Sequence, residues 1–300
     1  MVFKHLVLSG GGPTLIQTLG CIYHLNEIKY MDLDKVESIH ATSAGAFISI
    51  ILCLRFDWET INSYIINRPW KEVFDINLYN IYESYNKKGI FDNKTFEKCL
   101  KPLFDAKNVD MNITVKEFYD LTEIEIHFFT FEINGFEIID ISYKSFPSYR
   151  LLDVLQMTCA LPVIISPVCI DDKCFIDGGI YCNYPLYLLL ENSLDVDPDE
   201  ILGFKNVYDN YDNTILKDTS LIDYILNFVY KLIYKLNPNE KNVSINNEVV
   251  CNCDVMNIMT LKDAISSQTE RMRLFNNGIE FAKSYFDNKC KITTKVELNG

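Results

Sequence analysis

Residues 36–54 read VESIHATSAGAFISIILCL, and this stretch decides the fold. Val36 to Ala41 can form a strand, and Ala44 to Leu54 is apolar on all sides, which is typical of a helix buried on every face. Only Thr42 and Ser43 separate the two elements. The stretch therefore predicts a strand, a tight turn that carries a serine, and a buried helix.

The stretch before it has the same design. Phe3 to Leu8 is a short apolar run that ends in the sequence Ser9-Gly10-Gly11-Gly12-Pro13. From Leu15 to Leu25 the apolar residues recur at helical spacing, and Pro13 suits the first turn of a helix because its missing N–H would be unpaired there. Two successive strand–helix units predict a parallel sheet with covered faces.

The rest of the chain extends this pattern. The segments predict, in order, helices over 58–107, a hairpin over 123–141 around Asn134-Gly135, a helix over 151–160, an extended stretch over 163–170 and a short strand over 174–176. After about residue 205, long helical patterns replace strands. We predict an α/β fold in residues 1–205, with a mostly parallel central sheet and helices on both faces. Residues 206–300 are predicted to form a mainly helical C-terminal extension that packs on this domain.

Composition excludes several classes of protein. The 300 residues carry 28 Lys and Arg against 41 Asp and Glu, a formal net charge of −13, so a nucleic-acid partner is not expected. With 48% hydrophobic and 23% charged residues, the chain is not disordered. The amino-terminal apolar run is too short for a signal peptide, and no run reaches the roughly 18 residues of a membrane span. We expect a cytoplasmic protein.

Ten cysteines are scattered along the chain, mostly within apolar runs. We interpret them as buried free thiols of a reducing compartment. Cys251 and Cys253 are too few and too closely spaced for a zinc site, and no histidine lies near them in the sequence. We predict no metal and no cofactor.

The turn at Ser43 has the features of a nucleophile elbow. Ala41 and Gly45, two residues to either side, are small, as a strained turn between strand and helix requires. The start of the helix would present unpaired N–H groups and a positive dipole to the serine oxygen. Taken alone, however, Thr42-Ser43 is also typical of an ordinary helix cap.

Two other groups could complete a catalytic site. The N–H groups of Gly10, Gly11 and Gly12 could form an oxyanion hole beside Ser43. The loop lacks the Gly-Lys-Ser/Thr of a phosphate-binding loop and the spacing of a dinucleotide fingerprint. Asp177 ends a predicted strand, and Gly178 and Gly179 leave room beside its carboxylate, although Asp-Gly is also a common turn.

The histidines do not fit a catalytic triad. An α/β-hydrolase triad runs in the order serine, acid, histidine, and no histidine follows His127. His40 should lie within the strand that precedes Ser43, so we interpret it as structural. Either Ser43 is not a nucleophile, or an aspartate acts on it directly as the base.

Together these motifs resemble the patatin-like phospholipase family, whose members use a Ser-Asp dyad. The similarity covers residues 1 to about 205. Its ordered landmarks are Ser9-Gly10-Gly11-Gly12, Gly20, Thr42-Ser43-Ala44-Gly45, Gly89-Ile90-Phe91-Asp92, Ala160-Leu161-Pro162, Ser166-Pro167-Val168, Asp177-Gly178-Gly179, Asn183 and Pro185.

The resemblance implies a three-layer sandwich that hydrolyses the carboxylic esters of lipids, phospholipids among them. It implies Ser43 as the nucleophile and Asp177 as the base, with Gly10, Gly11 and Gly12 forming the oxyanion hole. Thr14 stands where the family usually carries Arg or Lys, Leu15 where it usually carries Gly, and Ala41 where the elbow usually begins with Gly. These departures keep open a second interpretation, a weak or inactive protein of this fold that binds lipid or a protein partner. A phosphate- or nucleotide-binding protein ranks last, since no basic or Walker-type residue lies near the loop.

One segment of the extension predicts contact with a membrane surface. Asp223, Asn227, Lys231 and Lys235 recur every four residues within 221–236 and leave a broad apolar face. The segment is long enough to lie in a membrane interface but too short and too charged to cross one. The alternative is that this face packs on the catalytic domain.

Overall fold

The computed structural model describes residues 2–75, 78–193, 195–208, 214–236, 243–254 and 257–299. The strands are β1 (His5–Leu8), β2 (Ser38–Thr42), β3 (Gly89–Phe91), β4 (Glu125–Glu132), β5 (Glu137–Ile141), β6 (Val163–Ile165), β7 (Val168–Ile170), β8 (Lys173–Asp177), β9 (Ile201–Val207) and β10 (Glu248–Asn252). The helices are α1 (Leu15–Glu27), α2 (Ala44–Cys53), α3 (Trp58–Asn67), α4 (Trp70–Val73), α5 (Leu78–Lys87), α6 (Asn93–Ala106), α7 (Val115–Thr122), α8 (Leu151–Cys159), α9 (Leu186–Asn192), α10 (Leu221–Leu236), α11 (Ile258–Ser266) and α12 (Gln268–Asn299).

The central sheet has the strand order β10-β9-β1-β2-β4-β8-β7, and β5 pairs with β4. The five strands from β10 to β4 are parallel, whereas β5, β7 and β8 join antiparallel. The prediction of a mostly parallel sheet in an α/β fold is confirmed. β3 and β6 form a separate two-stranded parallel sheet.

Alternation along the strands places helices on both faces of the sheet. In β1, Leu6 and Leu8 belong to the large core that also contains residues of α1, α2 and α8. Val7, between them, packs instead with Leu186 of α9 on the opposite face. Every residue of α2 is buried, as its uniformly apolar sequence predicts.

Three strands were not resolved by the sequence pattern. The extended stretch 163–170 divides at Ser166-Pro167 into β6 and β7, which join different sheets. Pro167 has no N–H for a ladder, and Ser166 donates its N–H to Phe91 of β3. β3 itself interrupts the region predicted to be helical over 58–107.

The C-terminal extension contributes to the same sheet and core. β10 is an edge strand paired with β9, in a region that the sequence pattern predicts to be mainly helical. α12 packs along α1, and the two backbones approach so closely that a Cβ on Gly20 would meet the Phe275 carbonyl, and one on Gly278 the Gln17 carbonyl. The division of the chain at residue 205 remains a prediction. Within the described ranges, no helix is both long and apolar enough to cross a membrane.

The course of β4 brings two distant strand ends together. β2 pairs with the first part of β4, where Thr42 lies opposite Phe129. β8 pairs with the last part of β4, where Asp177 lies opposite Thr130. The ends of β2 and β8 therefore meet at adjacent positions along one strand.

Candidate active site

Ser43 forms a strained turn between β2 and α2. Its backbone has φ 53° and ψ −121°, a conformation that costs a non-glycine residue roughly 1–3 kcal/mol. A Cβ added to Gly45 would lie 2.7 Å from the carbonyl oxygen of Leu8, so only glycine fits two residues after the serine. Ala41, two residues before it, is completely buried in β2. These are the steric features that the sequence predicts for a nucleophile elbow.

A threonine on α8 holds the strained turn. The Ser43 N–H donates to Thr158 Oγ1 at 2.9 Å, and the Thr158 hydroxyl donates to the Phe129 carbonyl at 2.5 Å. Thr158 is completely buried, so neither bond competes with water. No motif in the sequence indicates Thr158, although it lies two positions before the landmark that begins at Ala160.

Asp177 lies in direct contact with Ser43. The serine hydroxyl donates to Asp177 Oδ2 at 2.7 Å, and the Gly179 N–H donates to Oδ1 at 2.8 Å. The adjacent Gly178 is buried with its Cα against the Phe129 carbonyl, where no side chain fits. The two residues that the sequence nominates as nucleophile and base, 134 positions apart, are thus brought within hydrogen-bond distance.

Burial sets the protonation of this carboxyl. Asp177 is only 6% exposed. Desolvation raises the pKa of Asp177 from 3.8 to about 6, against the opposing effect of the bonds from Ser43 and Gly179. The group is therefore ionised at neutral pH and is a stronger base than an exposed aspartate.

His40 takes no part in this contact. Its ring stacks on His127 of the neighbouring strand, with centroids 4.2 Å apart, and its Nε2 lies 3.1 Å from Ser38 Oγ. Burial lowers the pKa of His40 well below its usual value. The interpretation of His40 as a structural residue agrees with this position.

The glycine loop after β1 lies beside Ser43. A Cβ on Gly10 would lie 3.0 Å from Ser43 Cβ. Gly11 and Gly12 have φ values of 154° and 56°, which side chains rarely adopt. The Gly10 N–H donates to the Asn183 carbonyl at 3.0 Å, so Gly10 anchors the loop and, contrary to the prediction for this residue, has no N–H left for an oxyanion.

A second residue that the sequence did not nominate, Asn206, holds this loop. Its Nδ2 donates to the Gly10 carbonyl and to Thr14 Oγ1, both at 3.0 Å. The Thr14 hydroxyl in turn donates to the Gly11 carbonyl at 3.1 Å. Thr14, at the position where the resemblance predicts a cation, therefore fixes the loop through neutral hydrogen bonds. Asn206 has no sequence signal, since it lies at the end of β9 in no recognisable motif.

An apolar cavity of about 470 Å³ opens from Ser43 and Asp177. This volume lies within the range of small-molecule and cofactor sites. Residues before position 205 line it with aromatic and aliphatic side chains, namely Phe47, Ile65, Trp70, Phe74, Phe91, Phe96, Leu161, Ile164 and Ile165. Tyr230 of α10 and Leu261, Ala264 and Ile265 of α11 also line it.

Arg271 joins the extension to the cavity wall. Its buried guanidinium donates to the carbonyl oxygens of Ala264 and Ile265 at the end of α11, and to those of Ile66 and Arg68 at the end of α3. A cation at two helix C-termini is favoured by both dipoles. This one side chain therefore sets the position of α11 against α3.

Nothing in the described part of the chain resembles a metal centre, since it holds no group of three or more His, Cys, Asp or Glu side chains arranged to bind an ion. The polar groups beside Ser43 include its own hydroxyl, the Asp177 carboxylate and the glycine loop. This set can move a proton and stabilise a negative charge on a reacting carbonyl.

Two comparisons of sequence identify similar proteins. The family model described as "Patatin-like phospholipase" matches residues 6–190. "Probable lipid hydrolase 463L" of Invertebrate iridescent virus 6 is 26% identical over 191 residues, which cover 63% of this chain and 64% of that protein. The match thus spans less than two thirds of that relative. "Uncharacterized protein R571" of Acanthamoeba polyphaga mimivirus is 23% identical over 228 residues, or 74% of this chain and 73% of the relative.

The fold is also similar to a solved structure. VipD from Legionella pneumophila superposes with a TM-score of 0.57 at 16% sequence identity, over 95% of this chain and 67% of VipD. At this identity the likeness concerns the fold alone.

Proposed function

This chain belongs to the patatin-like phospholipase family, and from that premise we propose that it is a serine hydrolase that cleaves lipid esters through a Ser43–Asp177 dyad. The observation that carries the proposal is the 2.7 Å hydrogen bond from the Ser43 hydroxyl to Asp177, at one end of an apolar cavity. Phospholipids and lysophospholipids are the substrates expected for such a site.

In the proposed reaction, Asp177 takes the proton of Ser43 as its Oγ attacks the ester carbonyl. The negative charge that develops on the carbonyl oxygen is stabilised by the N–H groups of Gly11 and Gly12. The alcohol leaves with a proton returned by Asp177, and the acyl group stays on Ser43 Oγ. Water, deprotonated by the same carboxylate, then attacks the acyl carbon, the bond to Ser43 Oγ breaks, Asp177 returns the proton to Oγ, and the fatty acid is released.

The cavity is suited to the acyl chain of the substrate. A carboxylate is a weak base toward an alcohol in water, but Asp177 is buried and its pKa is raised to about 6. An acyl chain that fills the apolar cavity would exclude water from this carboxylate and from the oxyanion. Substrate binding and catalysis are thereby coupled through desolvation.

We further propose that α10 contacts the surface of a membrane. The inner face of the helix, with Leu226 and Val229, packs on Leu161 beside the cavity. On its outer side Leu221, Tyr224 and Phe228 are 72%, 46% and 50% exposed. Spacings of three and four residues place them in one stripe.

Exposure along α10 does not follow the polar row and the apolar face that the sequence predicts. Asn227, from the row of polar and charged residues that recurs every four positions, is 9% exposed, and the apolar residues are distributed over both sides. The side chain of Lys235 lies outside those described. The helix can therefore both pack on the domain and present apolar groups to lipid, so the two interpretations of this segment are compatible.

The compartment proposed for the protein is the cytoplasm. All ten cysteines are reduced thiols, and seven of them are buried. Free cysteines in this number are typical of a reducing compartment. The protein would then meet its lipid substrate at the cytoplasmic face of a membrane.

Labelling with a fluorophosphonate probe tests the function. An activated serine displaces fluoride and becomes phosphonylated, so the protein should label and Ser43→Ala should not. Ser63→Ala, which removes an exposed serine of α3, is the matched control and should label fully. Failure of the folded wild-type protein to label would favour the second interpretation, an inactive lipid-binding protein, for which Thr14 in place of a cation is the motivation.

A further inference from the structure

Two cysteines face each other across the hairpin of β7 and β8. Cys169 and Cys174 are directly opposed in the antiparallel register, and the two strands are joined by the turn Asp171-Asp172. The Cys169 thiol donates to Cys174 Sγ at a sulfur–sulfur distance of 3.0 Å. Both are free thiols.

The backbone shows which kind of cross-strand pair they form. The Cys174 N–H donates to Glu132 Oε1, and the Cys174 carbonyl accepts from the Ile133 N–H, so both groups point toward β4. Cys169 and Cys174 are therefore a non-hydrogen-bonded pair, in which Cα atoms are typically about 4.5 Å apart. That separation lies within the range that a disulfide spans, about 4.4–6.8 Å.

Exposure separates this pair from the other cysteines. Cys169 is exposed on β7, a strand at the edge of the sheet, and Cys174 is half-buried on β8. Cys21 and Cys251 also approach each other, at 3.5 Å, but both are fully buried between α1 and β10. A dissolved oxidant can therefore reach the hairpin pair in the folded protein and not the buried one.

We propose that Cys169 and Cys174 are a reversible dithiol–disulfide site that reacts with small-molecule disulfides of the glutathione type. The Cys169 thiolate attacks one sulfur of glutathione disulfide, forms a mixed disulfide and releases one glutathione thiolate. Cys174 loses its proton to solvent and attacks Cys169 Sγ, which releases the second glutathione. Two protein thiols are oxidised to one disulfide, and one glutathione disulfide is reduced to two glutathione molecules.

The environment of the two sulfurs explains why Cys169 attacks the external disulfide first and Cys174 attacks second. Burial and the charge of Glu132 raise the pKa of Cys174 to about 11. The thiolate is the attacking species, so this pKa makes Cys174 slow toward an external disulfide, and Cys169 is the more exposed residue of the pair. Cys174 is instead placed to attack Cys169 once the mixed disulfide has formed.

The disulfide would tie β7 to β8 without displacing Asp177, the proposed base. β8 is held on its other side by β4, through the pairs from Glu132–Phe175 to Thr130–Asp177. Formation of the bridge is therefore independent of the proposed hydrolase activity. Disulfides in reducing compartments are usually transient and redox-sensing, which is consistent with an exposed, reversible pair.

The test is incubation of the folded wild-type protein with glutathione disulfide, followed by intact-mass and peptide mass spectrometry. The wild type should lose the mass of two hydrogen atoms, with the bridge mapped to Cys169–Cys174 and reversed by reduced glutathione. Cys174→Ser should instead accumulate a glutathione adduct on Cys169. Cys290→Ser, at an exposed cysteine of α12, is the matched control and should form the bridge as the wild type does.

Two results would overturn the proposal. One is a folded wild-type protein in which no bridge maps to Cys169–Cys174 after exposure to excess glutathione disulfide. The other is Cys169→Ser losing two hydrogens to the same extent as the wild type, since another pair would then react. The first measurement needs no variant and so does not depend on how the serine substitutions fold.

Discussion

The cavity wall has two parts that are built in different ways. In the first part, Ser43 and Asp177 are fixed by backbone hydrogen bonds and by glycines that contact main-chain atoms. In the second part, side chains of α10 and α11 line the cavity, and Arg271 links the end of α11 to the end of α3. The proposed chemistry therefore depends on a few constrained positions in short motifs, whereas the proposed fit to a substrate depends on residues that lie in no motif.

The largest effect should come from the carboxylate of Asp177. Asp177→Asn keeps the size of the side chain but removes the base, so ester hydrolysis should fall by about 10³-fold or more. Glu132→Gln, at another buried carboxylate of the same sheet, is the matched control and should retain most of the rate. Steady-state rates on a short-chain ester, with circular dichroism to verify folding, measure the effect. A variant of Asp177 that keeps most of the wild-type rate would refute the dyad.

The next largest effect should come from Thr158, which holds Ser43. Thr158→Val has nearly the same shape but removes the acceptor of the Ser43 N–H, and we expect the rate to fall by about 10- to 100-fold as the nucleophile shifts. An unpaired buried N–H should also lower the free energy of unfolding by about 1–3 kcal/mol. Thr158→Ser retains the hydroxyl and should behave like the wild type; equal losses in both variants would mean that packing matters and the hydrogen bond does not.

The protonation of Asp177 should appear as a pH dependence. The base must be ionised to accept the proton, so the rate should fall about tenfold per pH unit below a pKa of about 6 and reach a plateau above it. The folded state binds this proton more tightly than the unfolded state, where the pKa is near 3.8. This group therefore stabilises the fold most below pH 4, and that contribution is lost as the pH rises through 6.

The pH dependence of the rate and the pH dependence of the stability can be measured separately. The rate profile is obtained from ester hydrolysis between pH 4.5 and 8, and the stability profile from denaturant unfolding of the wild type and Asp177→Asn over the same range. The difference in unfolding free energy should change in the opposite direction to the rate. A rate that stays constant down to pH 5 would show that Asp177 is not the base.

The contrast between the two parts of the cavity wall also explains which features the sequence could predict. The strand–turn–helix at Ser43, the glycine loop and the residues around Asp177 are local patterns, and the family resemblance drawn from them is confirmed over residues 6–190. The sequence did not indicate Thr158 and Asn206 as site residues, because each acts through a hydrogen bond to a residue more than a hundred positions away. Side chains that matter only through tertiary contact leave no periodic or local signal.

The same limit applies to the elements themselves. β10 is a short edge strand in a region otherwise rich in helical patterns, and its pairing with β9 depends on long-range register. The sequence also did not indicate that Cys169 is exposed and Cys174 half-buried, because hydrophobic neighbours are typical of buried positions. Edge strands have one free side, so a short apolar pattern does not reveal whether a residue is buried.

A moderate effect is expected from filling the part of the cavity that α11 lines. Leu261→Trp adds bulk to the α11 wall and should lower the rate on long-chain esters several-fold relative to short-chain esters. Leu121→Trp, at a leucine that is 56% exposed and outside the cavity, is the matched control. The ratio of kcat/KM for the two chain lengths is the readout, and an equal loss on both esters would show that α11 does not select the chain.

The smallest effect should come from the exposed stripe on α10. Replacing Leu221, Tyr224 and Phe228 together by serine removes apolar area that could enter a membrane interface, and we expect sedimentation with phosphatidylcholine liposomes to fall roughly three- to tenfold. Hydrolysis of a dissolved short-chain ester should not change, because these side chains point away from the cavity. The net charge of −13 should make binding to anionic liposomes weaker than to neutral ones at low salt.

A matched triple substitution makes the comparison strict. Leu121, Tyr85 and Phe136 are 56%, 90% and 70% exposed and lie outside the cavity lining, so their replacement by serine removes the same three kinds of side chain. If both triple variants lose lipid binding equally, the interaction depends on general surface hydrophobicity and α10 has no special part in it. If only the α10 variant loses binding, the helix that lines the cavity is also the segment that contacts the membrane.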